Sequence, residues 1–414
     1  MSIPRPKYLE KLVAKKSNGL VKVVTGVRRC GKSFLLFNLF KEHLLSEGVP
    51  AENIVEVAFD EYESKRLRDP DAFYPWAKER LAADGKRYVL LDEVQLLSDF
   101  EEVLIGLMRM PDVDVYVTGS NAKLLSKDII TEFRGRGDEV RVRPLSFSEF
   151  MRAYGGDARR GFEEYSVYGG MPATVGMDAQ AKTAYLEGIF REIYVNDIAE
   201  RNGIRDAGEL EALLDILSSG IGSLTNPKKV SDTFRSKGST LSPKTARAYI
   251  DHLIDAFVIE EAKRYDVKGR AYIGTPFKYY FCDLGLRNAR MNFRQVEPSH
   301  AMENVIYNEL AGRGFGVDVG VVNAFSKNAE GKSVRSTLEI DFVCNKGDRR
   351  FYIQSSYAVP DRGKMDQELA SLRKVDDSFE KIVVVRDPIV PRRDESGFLF
   401  VGIEDFLLDE SFLG

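Results

Sequence analysis

Three short apolar runs stand out in the first 120 residues: Val21–Thr25, Tyr88–Leu91 and Val113–Thr118. Runs this short and this continuous predict strands of a parallel sheet buried on both faces. Behind the first run comes a helical pattern, with apolar residues at Phe34, Leu35, Leu36, Leu39, Phe40 and Leu44. Further along, the period stays helical. A stretch over Ala181 to Asn196 is followed by Glu209 to Ser219, apolar at Leu210, Leu213, Leu214 and Leu217. Lys228 to Lys237 ends before Gly238, a C-terminal stop signal. Ser242 is placed to cap a third helix with Pro243 at its first position. Its apolar face is Tyr249, Ile250, Leu253, Ile254 and Phe257, and Lys244, Thr245, Arg247 and Asp251 face outward. Two extended stretches, Val258 to Tyr265 and Phe277 to Cys282, are joined through Lys268-Gly269. Three helices and a hairpin predict a winged helix. In the last third, Val305, Ile306 and Leu310 mark a helix, and Glu339 to Val343 and Phe351 to Ser356 mark strands.

Size and composition add bounds. A chain of 414 residues holds two to four domains. A hydrophobic share of 43% with 11% aromatics is enough for packed cores. The net charge of −4 leaves nucleic acid neither favoured nor excluded, so the distribution of charge has to decide. Cys30, Cys282 and Cys344 are far apart and odd in number, and His43, His252 and His300 are isolated. Neither a disulfide framework nor a zinc spacing is present, which suits a reducing compartment. The opening residues do not read as a signal peptide, and no apolar run reaches the roughly 18 residues of a membrane span. A cytoplasmic protein without a membrane partner is expected.

The first strand runs into Gly26-Val27-Arg28-Arg29-Cys30-Gly31-Lys32-Ser33, followed at once by Phe34 and the helix. This is the G-x-x-x-x-G-K-S spacing in its strand–loop–helix context. Glycines let successive backbone N–H groups turn inward around phosphates, and the helix N-terminus adds its positive end. Lys32 supplies a charge to the β- and γ-phosphates, and Ser33 offers a hydroxyl to Mg²⁺. ATP with Mg²⁺ is the expected ligand of residues 26–34.

A carboxylate at the end of a second buried strand is then required. Asp92 meets that need as a metal holder, and Glu93 is placed to orient or deprotonate the attacking water. After the third strand, Ser120 and Asn121 are candidates to reach the γ-phosphate or the water, or else they cap a helix. Arg134 or Arg136, in a glycine-bearing loop, could stabilise transition-state charge, from its own chain or from a neighbouring one. Cys30 invites a further expectation. Lys32 and the loop amides should acidify its thiol, so alkylation would block ATP binding and ATP would protect.

GVRRCGKS, LLDEVQ, VTGSNAKLLS, FRGRG followed by RPLSFSEF, and Tyr168-Gly-Gly-Met-Pro172 together resemble a family of bacterial and archaeal AAA-type ATPases. The resemblance spans nearly the whole chain. It implies an α/β P-loop NTPase domain with a parallel sheet at 1–155 and a helical segment at 156–205. A winged-helix domain at 206–292 and a C-terminal α/β restriction-endonuclease-like domain at 293–414 would follow. It also implies a nucleotide-driven conformational switch.

Charge bears on the winged helix. From Asn226 to Arg294 there are 14 Lys/Arg against 7 Asp/Glu, a net of +7 in a chain of net −4. Such an excess suits phosphate contacts on DNA, with Lys244 and Arg247 on the helix and Lys268 and Arg270 on the wing. A docking face for protein partners or for self-association is the alternative. In the nuclease-like domain, Glu303, Asp341 and Gln354 match the metal-holding positions of that fold, while Ser356 stands where it carries a lysine. Hydrolysis of DNA is therefore not expected, unless Lys364 on a following helix takes the lysine's part. The leading expectation is a Mg²⁺-dependent ATPase that moves its basic and nuclease-like parts. The alternatives are an ATP-holding switch without turnover, bound to DNA or protein, and an ATP-gated nuclease.

Overall fold

The computed structural model describes residues 3–81, 84–119, 137–294, 297–327, 333–357, 365–366 and 368–413. The chain divides into two units, Met1–Pro144 with Asp255–Phe257, and Leu145–Ile254 with Val258–Gly414.

The first unit is built on strands β1 (Val21–Thr25), β2 (Ile54–Ala58), β3 (Arg87–Asp92), β4 (Val113–Thr118) and β5 (Gly137–Arg141). They form one sheet in the order β2-β3-β4-β1-β5, with every neighbouring pair parallel. The three apolar runs became its three central strands, because only central strands are covered on both faces. The two edge strands carry weaker patterns: Glu56 interrupts β2, and β5 reads Gly-Asp-Glu-Val-Arg. One core lies between the sheet and its helices, with Val21, Val23, Val57, Val89, Leu91, Val115 and Val117 packed beside Phe59, Phe73 and Leu104.

The helix behind β1 starts at Lys32–Phe34, widens to π geometry over Leu35–Phe40 and returns to α over Lys41–Ser46. Leu35, Leu36, Phe40 and Leu44 are buried as the pattern predicts, while Phe34 is exposed. β4 lies between β1 and β3, so the ends of these three strands stand side by side. That arrangement positions the site.

The second unit begins with helices, among them Phe147–Tyr154, whose capping box joins Ser146 and Glu149. Helices Ala207–Ser219, Pro227–Ser236 and Pro243–Asp255 answer the three helical patterns. Leu210, Leu213, Leu214 and Leu217 are all buried, and Ser242 Oγ accepts the Thr245 amide at 3.0 Å as a cap.

Strands β6 (Ile259–Asp266), β7 (Ala271–Phe281), β8 (Gly316–Lys327), β9 (Ser333–Lys346), β10 (Arg349–Ser356), β11 (Glu380–Val385), β12 (Arg392–Arg393) and β13 (Leu399–Gly402) form a mixed sheet. Its order is β12-β13-β11-β10-β9-β8-β6-β7. The β6–β7 hairpin, expected as a wing, is thus part of the same sheet as the last third, through parallel pairing of β6 with β8. Helix Pro298–Gly312 packs on β8 and β10. Among the described residues, no helix is long and apolar enough to cross a membrane.

Candidate functional site: a phosphate loop with a paired hydroxyl and carboxylate

The loop after β1 turns where a side chain would obstruct it. Gly26 has φ 138°, and a Cβ there would lie 2.0 Å from the Val142 carbonyl oxygen. Arg29 (φ 64°) and Gly31 (φ 97°) take left-handed conformations, which curl successive amides into a concave nest. Lys32 is only 5% exposed, and its Nζ donates to the carbonyls of Gly26 at 3.0 Å and Val27 at 3.2 Å. The ammonium is therefore held against the loop it serves. Arg5 braces the loop from behind, donating to the Cys30 carbonyl at 3.2 Å and to the Arg143 carbonyl at 2.7 Å. Arg28 is half-buried and Arg29 exposed.

The Cys30 thiol corrects one expectation. It is fully buried and points at the Val142 carbonyl, 3.5 Å away. It packs behind the loop, where a reagent in solution does not meet it. Cys30 can serve a ligand through its backbone alone.

Asp92 ends β3 and is nearly buried. Its carboxylate accepts a hydrogen bond from the Thr118 hydroxyl, and the Ser33 hydroxyl lies near it. Burial lifts its pKa above the usual carboxylate value, and the two hydroxyls oppose that rise. Glu93 follows in a left-handed conformation, φ 50°. Its amide donates to Thr118 Oγ1 at 3.3 Å, and its carboxylate accepts from the Gln95 side chain. Thr118 thus ties both acids together, a role that was not expected of it. The available signal was its position as the last residue of the strand between the loop and Asp92. Ser120, Asn121, Arg134 and Arg136 lie outside the described residues, as does Lys364.

The donor set can be tested against ATP and Mg²⁺. The Gly26 cradle leaves no room for a Cβ, an ammonium lines the loop, and the Asp92 carboxylate is held by the Thr118 hydroxyl with the Ser33 hydroxyl near it. Hard oxygen ligands of this kind, with one or two protein groups and the rest from phosphate and water, are what Mg²⁺ takes. The residues fit.

Residues 18–151 match the family described as AAA domain, and residues 159–297 match a domain of unknown function, DUF8612. An uncharacterized protein of Haemophilus influenzae is 34% identical over 388 residues, covering 92% of this chain and 93% of its own. The chain belongs to one family with that protein and carries an AAA domain. A second relative, the uncharacterized protein MJ1544 of Methanocaldococcus jannaschii, is 24% identical over 402 residues, 93% of this chain and 85% of its own. Among solved structures, a Walker-type ATPase of Pyrococcus abyssi aligns with 70% of this chain and 96% of its own, at 17% identity and a TM-score of 0.49.

The basic residues singled out in the second unit divide into two kinds. Lys244, Lys268 and Arg270 are exposed. Arg247 is committed inside its own unit, 2.6 Å from Asp251 and paired with Glu261 as well. Two carboxylates hold the half-buried Arg247 guanidinium, a partnership the sequence reading did not assign to it.

The nuclease-like residues are brought together only in part. Asp341 and Gln354 are neighbours, with Gln354 Nε2 donating to Asp341 Oδ2 at 2.8 Å. Glu303 reaches the same place, since both it and Asp341 touch Lys278. Ser356 is buried and donates to Glu368 at 2.6 Å instead. Lys278 was not singled out in the sequence, although a lysine inside Phe-Lys-Tyr-Tyr-Phe was the visible signal. Lys278 Nζ lies at the point where Glu303 and Asp341 would have to converge on a divalent ion.

Proposed function

We propose that this chain is a Mg²⁺-dependent ATPase whose nucleotide state controls the basic and nuclease-like parts of its second unit. In this reading residues 1–155 are the ATPase domain, 156–205 a helical segment, 206–292 a winged-helix domain and 293–414 a nuclease-like domain. The observation that supports it most is the buried Lys32 ammonium held on the Gly26 and Val27 carbonyls of a loop whose first glycine leaves no room for a Cβ.

The chain's own residues divide the work. The amides of residues 26–33 bind phosphate oxygens, and Lys32 turns its ammonium from loop carbonyls to the β- and γ-phosphates. Ser33 and Asp92 would hold Mg²⁺, which when bound neutralises charge building on those phosphates. Glu93, kept in place by Gln95 and by its amide bond to Thr118, takes the proton of the attacking water. The water oxygen bonds to the γ-phosphorus as the bond to the ADP oxygen breaks. Exposed Lys244, Lys268 and Arg270, in a segment of net +7, support DNA as the partner of the second unit.

Steady-state phosphate release and calorimetric binding of Mg·ATP test the reading together. Glu93→Gln is expected to keep binding and lose about 100-fold or more in rate. Lys32→Ala is expected to lose binding. Equal binding in Lys32→Ala overturns the site. Tight binding by the unaltered chain without phosphate release favours a switch that does not turn over.

A further inference from the structure

One buried ammonium in the second unit stands among three acids. Lys278 sits in the inner half of β7, and its side chain is 5% exposed. Its Nζ lies 2.8 Å from Glu303 Oε1, 2.7 Å from Glu339 Oε1 and 3.8 Å from Asp341 Oδ1. The acids come from different elements: Glu303 from helix Pro298–Gly312, Glu339 and Asp341 from β9. Burial alone would discharge a lysine. Here burial works to lower the pKa, but Glu303, Asp341 and Glu339 outweigh it and hold the ammonium above its ordinary range.

The acids also have other partners. Tyr280 donates its hydroxyl to Glu303 Oε1 at 2.6 Å, the oxygen that Lys278 already touches. Asp341 Oδ2 accepts the Gln354 amide at 2.8 Å and the Ser355 backbone N–H at 2.9 Å. Gln354 therefore turns its N–H₂ toward Asp341, where a metal site would need an oxygen. A Cβ at Gly222 would lie 3.2 Å from Glu303 Oε2, so backbone closes on that carboxylate as well. Divalent ions bind carboxylate oxygens at about 2.0–2.6 Å and must gather several at one point. The point shared by these three acids is the Lys278 nitrogen. Among the described residues, no three His, Cys, Asp or Glu side chains are spaced to hold a metal.

We propose that Lys278 is the resident cation of this pocket, standing where a divalent metal would bridge Glu303, Glu339 and Asp341. The ammonium offsets part of the charge of the three acids and pins β7 to the helix and to β9. The second unit then acts by binding and by shape, without metal-assisted phosphodiester cleavage. The assignment does not depend on the ATP chemistry of the first unit.

The test is titration of the nucleotide-free full chain with Mn²⁺ alone, followed by electron paramagnetic resonance, with folding checked by circular dichroism. The unaltered chain is expected to show no Mn²⁺ site that Asp341→Asn removes. Lys278→Met is expected to gain such a site, binding Mn²⁺ roughly 100-fold tighter, because a nearby like charge is gone. Adding Asp341→Asn to that variant is expected to abolish the gain. An Asp341-dependent Mn²⁺ site in the unaltered chain overturns the proposal, and so does a folded Lys278→Met that gains none. Lys278→Gln serves if Lys278→Met does not fold. If neither folds, the comparison of the unaltered chain with Asp341→Asn decides: a shared absence of the site upholds the assignment, and an Asp341-dependent site ends it.

Discussion

The backbone N–H of Gly170 donates to Oδ2 of Asp283 at 2.7 Å, across 113 residues of sequence. Asp283 also caps helix Leu284–Arg290 by accepting the Leu286 amide at 3.0 Å. A Cβ at Gly169 would lie 2.3 Å from the Asp283 carboxylate, and one at Gly170 would lie 2.2 Å from the Leu145 carbonyl. The two glycines of Tyr-Gly-Gly-Met-Pro are thus where backbone must approach a carboxylate on one side and a carbonyl on the other. The turn is a joint inside the second unit.

That joint gives a pH signature. Burial pushes the Asp283 carboxyl up to about 6 from 3.8, against the amides of Gly170, Leu286 and Gly285. The folded chain therefore holds this proton more tightly than the unfolded chain does. The stabilisation is fully present below about pH 4 and is lost as pH rises through about 6. Asp283→Asn carries no such dependence. Stability of the unaltered chain minus that of Asp283→Asn is expected to fall by about 3 kcal/mol from pH 4 to pH 7.5. Denaturant unfolding at several pH values measures it, and a flat difference would contradict the shift.

Thr118 gives a test of the site. Its hydroxyl donates to Asp92 and accepts the Glu93 amide. Thr118→Val keeps the shape and removes both bonds. Groups that orient a metal-holding side chain are worth about 10–100-fold. The Mg²⁺ concentration for half-maximal ATP turnover is expected to rise about 10-fold. Asp92, already lifted by burial, loses one of the hydroxyls that oppose the lift, so the acid limb of the rate profile is expected to move to higher pH. An unchanged Mg²⁺ dependence would reduce Thr118 to a packing residue.

Lys244 and Arg247 should separate in a DNA assay. Lys244 is exposed, whereas Arg247 is held by Asp251 and Glu261. Lys244→Ala is expected to lower the slope of log affinity against log salt by about 1. Arg247→Ala is expected to leave that slope alone and to cost about 1 kcal/mol of stability. Equal slopes for all three proteins would move the basic surface to a protein partner.

What the sequence conveys depends on how far apart the partners lie. Gly26, Lys32 and Ser33 fall within eight residues, and Asp92 closes an apolar run, so the phosphate site is legible from spacing and periodicity. β2 and β5 were not, because an edge strand with charged positions has no distinctive pattern. The Lys278 cluster draws on residues 278, 303, 339 and 341, and the Gly170–Asp283 contact joins still more distant ones. Such meetings follow from which strands are neighbours, above all the parallel pairing of β6 with β8. Local periodicity carries no information about that choice. For Arg247 the helix face and Asp251 upon it were readable, but Glu261, which reaches it from β6, was not.

The pairing of β6 with β8 also limits how the second unit can respond to anything bound to it. A free wing could flex like a flap on its own two strands. Here a ladder of peptide hydrogen bonds, with Arg264 opposite Val319 and Asp266 opposite Val321, welds the hairpin to its neighbours as one plank of a floor. A force applied at the hairpin tip must tilt the floor or tear it, so a ligand gripping Lys268 pulls on the acids around Lys278 through continuous backbone.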